Sequence, residues 1–121
     1  MNLPEFYAAI GAEMKDVLRR LGSEGLIQKY LLKLPNDPTY VLLTNAMQKK
    51  DYEQAFRAAH TLKGIALNLG LTPLHEVSQE LMELLRNGSP DLEAADVLLQ
   101  QVSDVYQSIL AKIKKIAVEP L

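Results

Sequence analysis

Ala58-Ala59-His60-Thr61-Leu62-Lys63-Gly64-Ile65-Ala66-Leu67-Asn68-Leu69-Gly70-Leu71 is the stretch whose reading decides the fold. Taken as a helix, it advances by about 100° per residue and has two distinct faces. With His60 at zero, Ala55, Ala58, Leu62, Ile65 and Leu69 gather within roughly 40° of the opposite side, with Ala59 and Ala66 on the border of that group. Glu53, Phe56, Lys63, Gly64 and Leu67 lie within about 60° of His60. The histidine therefore points away from the core, with a lysine and a glycine on the next turn.

The sequence on either side is helical as well. No alternation at period two is sustained, and good helix formers dominate. Prolines and glycines cut the chain into pieces. Pro4 to Leu21 carries the stripe Phe6, Ile10, Met14, Val17, Leu18 and Leu21, with Gly11 allowing one kinked helix or two short ones, and Gly22 as a stop. Ser23 caps a helix to about Leu34 that buries Leu26, Ile27, Tyr30, Leu31 and Leu34. Asp37 caps the next, from Pro38 to about Lys50, with Tyr40, Leu43, Ala46 and Met47 inward; these two pieces are close enough to act as one bent helix.

Asp51 and Gln54 resemble a capping box that opens the central helix, and Gly70 closes it. Thr72-Pro73 opens a helix with Leu74, Val77, Leu81, Leu84 and Leu85 on one side, ended by Asn87-Gly88. Ser89-Pro90 opens the last and longest helix, with an apolar seam from Leu92 through Ala95, Val102, Tyr106 and Ile109 to Ile116; residues 117–121 are expected to fray. Very short connections make sequential helices antiparallel neighbours. The expected architecture is all-α: an antiparallel up-down-up-down four-helix bundle with one or two additional N-terminal helices, in a single domain over residues 1–121.

Composition narrows the function classes. The 121 residues are 48% apolar and 23% charged, with a net charge of −2. That is globular material without the basic footprint of a nucleic-acid binder. The absence of cysteine removes disulfides and thiolate metal sites. Neither a signal peptide nor an apolar run of about 18 residues is seen, so a cytoplasmic protein that does not enter the membrane is expected. His75 makes no metal pair with His60, which lies roughly 15 Å along the helix axis from the following turn. No two helices present the inward His or carboxylate pairs of a metal-binding bundle.

His60 is the residue with chemistry. Neutral imidazole is a nucleophile, and imidazole is the side chain that exchanges protons near neutral pH. Lys63, a mobile point charge, suits a phosphoryl group attached to the ring, and Arg57 one turn back adds positive charge. Gly64 removes bulk where an attacking group must come close. Phe56 and Leu67 are apolar residues on the same outward face, candidates for a dry contact ring.

His60-Thr61-Leu62-Lys63-Gly64, followed by Asn68-Leu69-Gly70, resembles the signature of the histidine-containing phosphotransfer (HPt) domain family: a histidine, a lysine three positions on, a glycine four on and a second glycine ten on. The resemblance implies a four-helix bundle with an extra N-terminal helix. It implies that His60 is the phosphoacceptor, taking a phosphoryl group from a receiver-domain aspartyl phosphate (or from a kinase) and passing it to a receiver Asp. Lys63 would stabilise the phosphate, Gly64 would give access, and Phe56, Arg57, Leu67 and Asn68 would meet the partner. Leu67 departs from the small residue often found near that place, which would narrow receiver choice.

The implied partners are response-regulator receiver domains and a hybrid sensor histidine kinase, met by a monomer that binds neither nucleic acid nor membrane. No cofactor is implied, because Mg²⁺ belongs to the receiver. With no nucleotide-binding segment, the chain is not expected to phosphorylate itself from ATP. The alternative is a non-catalytic helical adaptor that docks receivers or other helices.

Overall fold

The computed structural model describes residues 1–88 and 90–118, and every regular element among them is helical. The order is α1 (Leu3–Ala9), α2 (Met14–Leu21), α3 (Glu24–Lys33), a 3-10 turn (Leu34–Asn36), α4 (Thr39–Gln48), α5 (Tyr52–Asn68), α6 (Thr72–Leu85) and α7 (Leu92–Val118). The four-helix bundle consists of α3 with α4, then α5, α6 and α7. It closes because α4 packs on α5, α5 on α6, α6 on α7, and α3 on α7. The α3–α4 member is bent at the 3-10 turn, and α1 and α2 are the two additional N-terminal helices. At 27 residues, α7 is long enough to meet both α3 and α1.

Each boundary has a local cause. Asn2 and Glu5 form a reciprocal capping box, so α1 starts one residue before Pro4. Gly11, at φ +69°, breaks the first piece into two short helices. The Ser23 hydroxyl accepts from the Leu26 N–H at 3.2 Å, Asp37 from the Thr39 N–H at 2.8 Å, and Asp51 from the Gln54 N–H at 3.2 Å. Asp91 does the same for α7, accepting from the Ala94 N–H at 3.2 Å. That helix therefore opens at Asp91, later than Ser89-Pro90; Ser89 lies outside the described residues, as do 119–121 of the segment expected to fray.

Two reversals share one design. After α4, Lys50 takes φ +58° while the Asp51 N–H donates to the Ala46 carbonyl and the Lys50 N–H to that of Met47. After α5, Gly70 takes φ +67° while the Leu71 N–H donates to the Ala66 carbonyl and the Gly70 N–H to that of Leu67. Both are Schellman endings, which satisfy carbonyls that a helix C-terminus leaves orphaned.

The core runs through all the helices, with Phe6, Ile27, Leu43, Leu62, Leu81 and Ile109 among its fully buried members. Four residues of the expected stripes are instead exposed: Leu18, Leu26, Tyr30 and Leu92. The short helices α2 and α3 bury narrower seams, Val17 on one and Ile27 with Leu31 on the other. The Tyr30 ring takes the Lys33 ammonium as its neighbour, 5.7 Å from its centroid.

Candidate functional site

Helix α5 buries Ala55, Ala58, Ala59, Leu62 and Ala66, and leaves Ile65 half-exposed. Ala59 and Ala66, at the border on periodicity alone, are completely buried. The buried face is thus turned toward their side of the helix. Small residues on α5, and the buried Ser78 on α6, let the two helices pack closely. That rotation tips one flank of the outward face, Phe56 and Lys63, against α6.

His60 is exposed on this face. Its Nδ1 lies 3.3 Å from Sδ of Met82 on α6. The half-buried Phe56 ring lies nearly parallel to the imidazole, at 17° and 6.5 Å between centroids. The Arg86 guanidinium sits over the same Phe56 ring at 5.4 Å, a favourable cation–π arrangement. Phe56 thus both packs against the core and borders His60. Arg86 is fixed in turn by Glu83, to which its Nε and Nη2 donate at 3.0 and 2.8 Å. Those hydrogen bonds hold the Glu83 carboxyl below the usual carboxylate range, helped by the Arg86 charge and then by Lys63. Lys63 therefore lies within electrostatic reach of α6 while sharing the flank of His60.

On the other flank the surface is open. A Cβ added to Gly64 would meet no neighbouring atom within 4 Å. Leu67 is 49% exposed. Arg57 is drawn back along the helix to Glu53, with Nη2 to Oε1 at 2.7 Å, so its guanidinium is paired one turn before His60. Asn68 is exposed but lines a different groove, with Leu21, Tyr30, Lys33, Asp37 and Ile65. The site is thus a nucleophilic ring with one nitrogen held by the protein, a cation beside it, and clear space on the next turn.

The sequence model of the Hpt domain matches residues 13–112, which takes in all of this geometry. The chain belongs to the Hpt domain family. No curated protein and no solved structure matches it. Hpt domains serve histidine phosphotransfer in phosphorelays, where they interact with receiver domains and kinases.

Two supports of this Hpt domain's central helix come from its N-terminal helices. The Tyr7 hydroxyl donates to the Leu69 carbonyl at 2.7 Å in a buried contact, and Arg20 Nη2 donates to the Leu67 carbonyl at 2.7 Å. An added Cβ at Gly70 would collide with Val17 Cγ2 and touch the Tyr7 ring. So the two glycines of the motif differ: Gly64 borders open space and Gly70 seats the N-terminal helices.

Met82, Glu83 and Arg86 have no mark in the sequence. The four-residue step from Met82 to Arg86 on α6 mirrors that from Phe56 to His60 on α5, a match that shows only once the two helices are packed. His75 lines a cleft with Glu13, Asp16, Arg20 and Leu67. Among the described residues, no group of three or more His, Asp or Glu could hold a metal ion, and no helix is long and apolar enough to cross a membrane.

Proposed function

We propose that His60 is the phosphoacceptor of a phosphorelay, taking a phosphoryl group from a receiver aspartyl phosphate, or from a kinase, and delivering it to a receiver Asp. The observation that carries this reading is an exposed imidazole whose Nδ1 faces Met82, beside Lys63 and above the open surface at Gly64. The Nε2 lone pair is then the nucleophile. Catalysis of phosphoryl transfer is mostly positioning and charge stabilisation, and the bundle supplies both. Lys63 offsets the charge of the phosphoryl oxygens. Phe56 and Leu67 form an apolar rim for the receiver, with Arg57 and Asn68 at its margin. The receiver brings its own Mg²⁺ and the reactive acyl phosphate.

Incubation with a phosphorylated receiver carrying labelled phosphate tests this. The expected result is an acid-labile adduct on the wild-type chain and none on His60→Gln. Lys63→Ala should slow transfer by about tenfold, the effect of losing one charge-assisted hydrogen bond, with the fold intact. A wild-type chain that docks the receiver but never accepts phosphate would make it an adaptor.

A further inference from the structure

The Met82 contact does more than leave one nitrogen free. The Met82 side chain is buried, 3% exposed, and presents its sulfur to the inner edge of the His60 ring at 3.3 Å. A thioether has lone pairs and no hydrogen, so it accepts weakly and never donates. An unprotonated Nδ1 would set lone pair against lone pair. A protonated Nδ1 makes an N–H···S hydrogen bond. The tautomer of a histidine is set by the bond that its other nitrogen makes.

We propose that Met82 is a positioning residue for phosphotransfer, holding His60 as the Nδ1–H tautomer so that the Nε2 lone pair faces the incoming phosphoryl group. The proposal rests on His60 being the phosphoacceptor. When Nε2 attacks phosphorus, the Nε2–P bond forms. The P–O bond to the donor aspartate breaks, and its electron pair leaves with the carboxylate. The ring keeps the Nδ1 proton and a positive charge, offset by the phosphoryl oxygens. Met82 is no base, and its buried sulfur covers that edge of the ring, so the proton is retained. In the second transfer the receiver carboxylate attacks phosphorus, the Nε2–P bond breaks, and its electron pair returns to the ring as neutral imidazole. A ring that had lost the proton would have to leave as an anion. The thioether therefore serves both directions of transfer.

Nitrogen-15 NMR of the full chain, with labelled histidine, reads the tautomer from the separate Nδ1 and Nε2 shifts of the neutral ring. His60 is expected mainly as Nδ1–H. Met82→Leu keeps the volume and removes the acceptor; it should shift His60 toward Nε2–H and lower the transfer rate by about tenfold, the scale of one hydrogen bond. Met82→Gln, whose amide carbonyl accepts, should restore the tautomer and most of the rate. A wild-type His60 found as Nε2–H overturns the proposal on its own, even if Met82→Leu fails to fold. An unchanged tautomer and rate in Met82→Leu overturns it as well. The NMR arm needs no phosphate, so the two failures separate. If His60 accepts phosphate but its tautomer ignores Met82, only this proposal falls. If the tautomer responds but no phosphate is taken up, the phosphoacceptor reading falls and takes the role in transfer with it.

Discussion

Gly64 and Gly70 lie less than two turns apart, yet an added methyl group meets open space at one and a packed wall at the other. Gly64 sits inside a helix, where glycine costs about 1 kcal/mol relative to alanine, and nothing in the fold requires it. Gly70 has a left-handed backbone and lies against Val17 and Tyr7. The same residue type thus borders open space at one position, where we propose that a partner approaches, and answers to internal packing at the other. Lys50 refines the contrast: it takes nearly the same left-handed conformation in the same kind of helix ending without being glycine. Backbone angle alone therefore does not demand glycine at 70; the wall does.

The strongest way to break this contrast is Gly70→Ala. It adds about 1–2 kcal/mol of left-handed strain to about 1–3 kcal/mol of overpacking, so urea denaturation should show a loss of about 2–5 kcal/mol. A loss below 1 kcal/mol would mean that the N-terminal helices yield, and that the wall is soft.

Next in size is Tyr7→Phe, which leaves the buried Leu69 carbonyl without its donor and should cost about 1–3 kcal/mol. Burial pushes the Tyr7 hydroxyl up from its ordinary value, against a smaller opposing effect of Arg20. Tyrosine in the unfolded chain ionises near pH 10. The contribution of the neutral phenol is therefore fully present below about pH 10 and is lost as pH rises toward the folded-state value. Melting temperatures followed across that limb should fall less steeply in Tyr7→Phe. Some slope should remain from Tyr106, which burial, then Asp37 and Tyr40, also shift upward.

Gly64→Ala should do the reverse of Gly70→Ala, raising stability by about 1 kcal/mol while slowing transfer from a phosphorylated receiver. A more stable variant with undiminished transfer would remove the access role. The smallest effect is expected from Lys50→Gly, a gain of up to about 1 kcal/mol from relief of left-handed strain with transfer unchanged. If thermal melting shows no gain, some contact of the lysine offsets the strain.

Sequence periodicity and punctuation were enough to read the central helix, its outward histidine and most helix ends. Ser23, Asp51 and Gly22 act where their chemistry places them. The rotation of α5 toward Ala59 and Ala66 was not legible, because alanine carries little hydrophobic signal and is buried here for its size. Leu18, Leu26, Tyr30 and Leu92 fit the helical period but are left exposed, since periodicity reports which residues share a face and not how much of it is covered. At the site, the residues local to one helix were readable. Met82 and Arg86 reach His60 and Phe56 across an interface, with Glu83 fixing Arg86, and no spacing within α5 encodes them.

The capping box formed by Asn2 and Glu5 bears on where the folded core begins. It sets α1, and α1 brings the buried Tyr7 under the turn that ends α5, its ring edge to face with that of the fully buried Phe6 at 5.1 Å. The family match starts only at residue 13 and stops at 112, yet Ile113 and Ile116 are buried too. Trimming the gene to the matched span would remove core from both ends and unseat the C-terminal turn of the histidine helix. For this protein the folding unit is larger than its family signature, and expression boundaries should follow the buried side chains.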